Sequence, residues 1–156
     1  MTVHIEVARE TLDVAKLREM LEAQGCGSIV SFVGVTRGME AGFSVKRLEF
    51  DAWEGRLTDV LRRIANESIS EFGVKSVVMA HRIGSVEPGE NIVCIHVGSA
   101  HREAGFSACS WLISELKKQY KKMVKKVHPD ITQNSSPESI IELNEAYSNL
   151  LKVIKL

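Results

Sequence analysis

Four short cationic stretches carry the chemistry this sequence can do. Arg37 closes the apolar run FVGVTR, and Gly34 within it lets a backbone or ligand approach closely. His81-Arg82 and His101-Arg102 each follow a hydrophobic run. Lys117 opens a segment, 117–126, with six lysines and no acid. His101-Arg102 is the sharpest of these. It follows the run Ile92 to Val97 and the small-residue turn Gly98-Ser99-Ala100, and it precedes a helix pattern. Basic side chains beside the free N–H groups of a helix start form an anion site. His81 reads instead as a hydrogen-bonded histidine at a sheet edge. Taken alone, Arg37 reads as a solvated loop arginine and Lys117 as an exposed helix lysine. Lys117 lies fifteen residues after Arg102, which is about 22 Å on a straight helix. One substrate cannot touch both within one helix, so a site using both is most simply shared between two copies in a dimer. No His–Cys spacing supports a nucleophilic pair, and the histidines and cysteines do not cluster as metal ligands do.

Composition bounds the alternatives. The 156 residues suffice for one domain with a proper core. A hydrophobic share of 44% and a charged share of 26% are those of a globular chain. Net charge is zero, which gives no argument for nucleic acid. No apolar run approaches the ~20 residues of a membrane span. Of three cysteines, Cys94 falls in an apolar strand and is expected to be buried and inert. The odd count and the strand-like N-terminus, MTVHIEVARE, point to a reducing cytoplasm.

Periodicity supplies the elements that hold these groups. Val3, Ile5 and Val7 alternate as a strand, and Thr11 is placed to cap a helix from Leu12 to Gln24. Ser28 to Val35 reads as a buried strand, Thr36 to Phe43 as a polar loop, and Val45 to Trp53 as a strand. A helix is expected over Gly55 to Phe72, a strand over Lys75 to Ile83, a turn over Ser85 to Asn91, and a strand to Val97. This order fits a mixed α+β sandwich. A lysine-rich helix over Ser114 to Val127 is then stopped by His128-Pro129-Asp130. A last helix starts near Pro137 and reaches Ile154, which makes an antiparallel helical hairpin.

In combination these stretches resemble a known family. GSIVSFVGVTR (27–37), LEFDAW (48–53), HRIGSVEPGE (81–90), SAHREAGFSA (99–108) and Leu116-Lys117 occur in the order and spacing of the MoaE family, the large subunit of molybdopterin synthase. The resemblance spans about residues 3 to 118. It implies an α/β hammerhead-type fold and a homodimer within a heterotetramer. A small ubiquitin-like sulfur-carrier subunit would dock at each end, its C-terminal Gly-Gly thiocarboxylate entering a pocket of the large subunit. Sulfur would pass to cyclic pyranopterin monophosphate to make the molybdopterin dithiolene, without a metal or separate cofactor. Arg37, His101 and Arg102 would bind substrate, and Lys117 would be the catalytic lysine. By strict count the family's second lysine falls on Val124; Lys125, one residue on, is the substrate-binding candidate. The family's methionine after the aromatic strand is Arg56 here.

The tail has a resemblance of its own. YKKMVKKVHPD (120–130) followed by IELNEAYSNL (141–150) is similar to helices two and three of a DnaJ-type J-domain, with no separate first helix. This divides the chain into a synthase-like domain, 1–118, and a J-like hairpin, 119–156, that shares its first helix with that domain. In J-domains the residues matching His128, Pro129 and Asp130 contact a DnaK-type chaperone. A second reading is therefore a synthase-like dimeric binding module that recruits such a chaperone.

Overall fold

The segment SVVMAHR, Ser76–Arg82, is buried at every position, as expected of a strand covered on both faces. It is the sixth strand of a computed structural model that describes residues 1–40, 43–50 and 54–131, with side chains for 1–39, 45–50 and 55–120. The elements are β1 (Thr2–Ala8), α1 (Val14–Glu19), β2 (Ser28–Val35), β3 (Met39–Glu40), β4 (Phe43–Ser44), β5 (Leu48–Phe50), α2 (Glu54–Phe72), β6 (Ser76–Arg82), β7 (Gly84–Val86), β8 (Asn91–Ser99) and α3 (Arg102–Ile131).

The main sheet has the order β1-β6-β8-β2. β1 runs parallel to β6, while β6–β8 and β8–β2 are antiparallel. Side chains alternate across it. Val77, Met79, Ile95 and Val97 face the large core against α2 and α3, where Leu61, Ile64, Ala108 and Leu112 are buried. Val78, Ala80 and Cys94 face the smaller core, closed by Leu17 of α1 and by Leu12 and Leu21. The expected mixed α+β class is what the chain forms. Among the described residues, no helix is long and apolar enough to cross a membrane.

Several boundaries differ from the periodicity. The first helix is only Val14–Glu19, and Asp13 caps it by accepting the Lys16 N–H at 3.0 Å. The Thr11 hydroxyl is engaged elsewhere, donating to Glu90 at 3.3 Å. Of the strand expected over Val45 to Trp53, Leu48–Phe50 form β5, which pairs with the three residues of β7, while 45–47 precede it outside the strand and 51–53 lie outside the described residues. The loop expected over Thr36 to Phe43 holds β3, which pairs with β4. The turn expected at Ser85 begins inside β7.

The expected stop at His128-Pro129-Asp130 does not occur there; α3 passes through all three and is described as far as Ile131. Proline removes one N–H and crowds the preceding turn. Before Pro129 the helix already spans Arg102 to His128, so the local cost of proline falls on an established helix. The second arm of the expected hairpin, 137–154, lies outside the described residues.

Candidate functional site

Two ends of the sheet must be distinguished. At one end lie Ala8, Arg82, Asn91 and Val35, as the pairs Ala8↔Arg82 and Val35↔Asn91 show. At the other lie Thr2, Ser76, Ser99 and Ser28, paired as Thr2↔Ser76 and Ser28↔Ser99. The eight residues of β2 separate the two ends by about 24 Å at about 3.4 Å per residue.

His101 and Arg102 stand at the Ser99 end. The turn holding them is built by close approach. Ser99 is fully buried, and its hydroxyl contacts Ser28 Oγ at 2.9 Å and donates to the His101 carbonyl at 2.9 Å. The Gly27 N–H donates to the Ser99 carbonyl at 2.9 Å. A Cβ at Gly27 would lie 2.4 Å from the Ala100 carbonyl oxygen, and one at Gly105 would lie 2.7 Å from Ser99 Oγ. Glycine is required at both positions. The side chains of His101 and Arg102 are exposed, and Arg102 Nε pairs with the adjacent Glu103 at 3.3 Å.

Arg37 stands at the opposite end, two residues past β2, with its side chain exposed. Lys117 reaches that same end. α3 starts beside Ser99 and runs back along the sheet, and Tyr120, one turn beyond Lys117, places its hydroxyl 3.1 Å from His81 Nε2. Lys117 is half-buried there. One chain therefore brings Arg37 and Lys117 to one end and His101 with Arg102 to the other. Lys125 lies two turns further along α3, on the part of the helix whose side chains are outside the described set, as do those of His128, Pro129 and Asp130.

His81-Arg82 has a different role from the one expected. β6 is an interior strand, so His81 is not at a sheet edge. Its ring is buried, with Nδ1 2.5 Å from the Arg82 carbonyl and the Phe50 ring edge-on at 5.5 Å. Burial lowers its pKa to about 4, so it is neutral in this setting. Arg82 is also buried and reaches Ser85, Thr11 and Glu90. Sequence reasoning missed Tyr120, Ser99 and Glu90 as parts that hold the site. The one available signal was a carboxylate, Glu90, eight residues after an arginine in a buried-looking strand.

Cys94 is buried as expected, and burial pushes its thiol up to about 11. Its sulfur lies 3.2 Å from His96 Nε2, whose other ring nitrogen is 2.8 Å from Ser31 Oγ. A groove of about 780 Å³ between α2 and α3 is lined by Arg63, Glu67, Glu71 and Trp111, and Arg37, His101, Arg102 and Lys117 are not part of its lining.

A model of the MoaE protein family matches residues 7–119. The chain belongs to the MoaE family. A molybdopterin synthase catalytic subunit of Arabidopsis thaliana is 34% identical over 154 residues, spanning 95% of this chain and 78% of that protein. One from Pyrococcus abyssi is 31% identical over 110 residues, spanning 70% and 74%. The crystal structure of molybdopterin synthase from Staphylococcus aureus superposes with a TM-score of 0.68 at 26% identity, covering 72% of this chain and 82% of that one. The MoaE match encloses Arg37, His101, Arg102 and Lys117 and ends before Lys125. The Arabidopsis match is too long to stop at Lys118, so it includes most of the tail.

Proposed function

We propose that this chain is the sulfur-transferring large subunit of a molybdopterin synthase, working in molybdenum cofactor biosynthesis in the cytoplasm. The observation that carries this is the MoaE match over residues 7–119. The partner is a small carrier subunit whose C-terminal thiocarboxylate donates sulfur to cyclic pyranopterin monophosphate, forming the dithiolene. Both reactants are anionic, and both need fixed positive charge where water is excluded.

The division of the cations between two ends suggests how that charge is assembled. Two copies related by a two-fold axis would set Arg37 and Lys117 of one beside His101 and Arg102 of the other, giving two equivalent composite sites. Arg37, His101 and Arg102 would hold the phosphate and the carboxylate-derived oxygens. Lys117 would sit at the carrier's terminus and move protons as sulfur is transferred. Lys125 would add a further cation from α3. Each transfer bonds the carrier's sulfur to a pterin side-chain carbon in place of an oxygen, and water then cleaves the resulting thioester, supplying the oxygen of the carboxylate left on the carrier.

The tail is the finer part of the reading. Residues 119–156 would form a helical extension of the hammerhead-type domain. The Arabidopsis match, which runs into this region, supports a tail belonging to the family. Recruitment of a DnaK-type chaperone through His128, Pro129 and Asp130 has no comparable support, because these residues lie within α3 and not in a loop between helices.

The test is direct. The purified protein is mixed with thiocarboxylated carrier and cyclic pyranopterin monophosphate, and dithiolene is read as its fluorescent oxidised derivative. Product with the wild type and little with Lys117→Ala is expected. No product despite demonstrable carrier binding would overturn the reading.

A further inference from the structure

Arg82 is a buried cation that the proposed chemistry does not use. It ends β6 with its side chain only 5% exposed. Its NH2 donates to the Ser85 carbonyl at 3.0 Å, and its NH1 lies 3.4 Å from both Glu90 Oε1 and Thr11 Oγ1. Its Nε has no partner among the described residues. Only the arginine of this pair is buried, the Glu90 side chain being 32% exposed, and such a pair is weak evidence for stability. What it does provide is geometry.

The geometry leads to Arg37. Glu90 Oε2 accepts the Glu87 N–H at 2.7 Å, which closes the turn 87–90 on its own carboxylate. That turn grips the loop after β2 through two backbone hydrogen bonds. The Thr36 N–H donates to the Glu90 carbonyl at 3.0 Å, and the Gly89 N–H donates to the Thr36 carbonyl at 2.8 Å. Thr36 is 2% exposed, and Gly89 has φ +89°, a conformation that favours glycine. A Cβ at Gly38 would sit 3.7 Å from Pro88 Cβ, so the loop touches the turn on both sides of Arg37. Arg37 is the exposed residue between two held ones.

We propose that Arg82 and Glu90 are positioning residues for Arg37. Arg82, fixed in the interior strand, orients the Glu90 carboxylate. The carboxylate sets the turn, and the turn sets the backbone from which Arg37 projects. A preorganised cation of this kind loses less freedom when it meets an anion. The functional half of this inference rests on the synthase reading; the structural half does not.

Two measurements separate them. Glu90→Gln keeps the size of the side chain and removes its charge, and Arg82→Met serves as a second variant. Hydrogen exchange is followed at the Thr36 and Gly89 amides. Exchange there should rise on the order of tenfold in Glu90→Gln, with the β6 and β8 amides unchanged. Unchanged protection at both amides would overturn the proposal, whatever the activity. In the dithiolene assay, Glu90→Gln should raise KM for the cyclic phosphate on the order of tenfold. In an Arg37→Ala background the same change should add nothing, because the group being positioned is gone. Effects that multiply would overturn positioning through Arg37. An inactive wild type would sink the synthase reading, and the exchange measurement would still decide whether Arg82 and Glu90 hold the loop.

Discussion

The Tyr120 hydroxyl lies 3.1 Å from Nε2 of His81, with the two rings 5.3 Å apart and tilted by 38°. This contact joins the far part of α3 to the interior strand of the sheet. It fixes the rotation of the helix one turn past Lys117. Burial raises the Tyr120 phenol far above its usual range, so it stays a neutral hydrogen-bonding group.

Tyr120→Phe removes that hydroxyl and leaves the ring. A loss of about 1 kcal/mol is expected in urea denaturation, the net worth of one hydrogen bond. Sulfur transfer should fall more steeply than stability does, because Lys117 loses its fixed register. A variant with wild-type activity at reduced stability would show that the contact serves folding alone.

His81 makes stability depend on pH. Its pKa is lowered from 6.5 to about 4 by burial, so the unfolded chain takes up the proton more readily than the folded one. The stability it confers is complete above pH 6.5 and drains away as pH falls toward 4. The loss is on the order of 3 kcal/mol. His96, also held below its usual range mainly by burial, adds to the same window. Glu90 acts lower, because its carboxyl is held below 4.5, chiefly by the Glu87 N–H. Denaturation midpoints of wild type and His81→Gln between pH 7.5 and 4 check this. The variant should start less stable and show a shallower acid slope; parallel curves would assign the slope to other groups.

The cysteines should differ sharply in reactivity. Burial pushes Cys94 and Cys109 up to about 11, so neither offers thiolate near neutral pH. Cys26 is the half-exposed one. A maleimide at pH 7 should modify Cys26 alone in the native protein and all three after unfolding, as read by intact mass. Native labelling at Cys94 would mean that α1 opens readily from the sheet.

Much of the fold was legible because its strands are buried on both faces or alternate cleanly. SVVMAHR and NIVCIHV read as strands from their apolar runs, and the long periodic stripe of α2 reads as a helix. The cationic residues could also be seen, but their grouping could not. Which end of the sheet each one occupies follows from strand pairing, and pairing between residues as far apart as Val35 and Asn91 leaves no local trace. His81 was misplaced to an edge because the parallel β1–β6 pair, which makes β6 interior, joins segments separated by two helices. The stop expected at Pro129 fails because the local rule against helix before proline says little about a helix that already spans Arg102 to His128.

The separation of the cations yields the most discriminating prediction. Lys117→Ala and Arg102→Ala are each expected to be inactive as homodimers. If each site takes Lys117 from one copy and Arg102 from the other, a mixed dimer holds one site with both defects and one site with neither. Random mixing makes half of the dimers mixed, and half of their sites are intact. Activity should therefore recover to about a quarter of the wild-type value. If each chain carried a whole site by itself, every site would keep one defect and mixing would restore nothing. Co-refolding the two variants and assaying dithiolene formation decides between these arrangements. The length of α3 already opposes the second, since about 22 Å of rigid helix lies between the two residues.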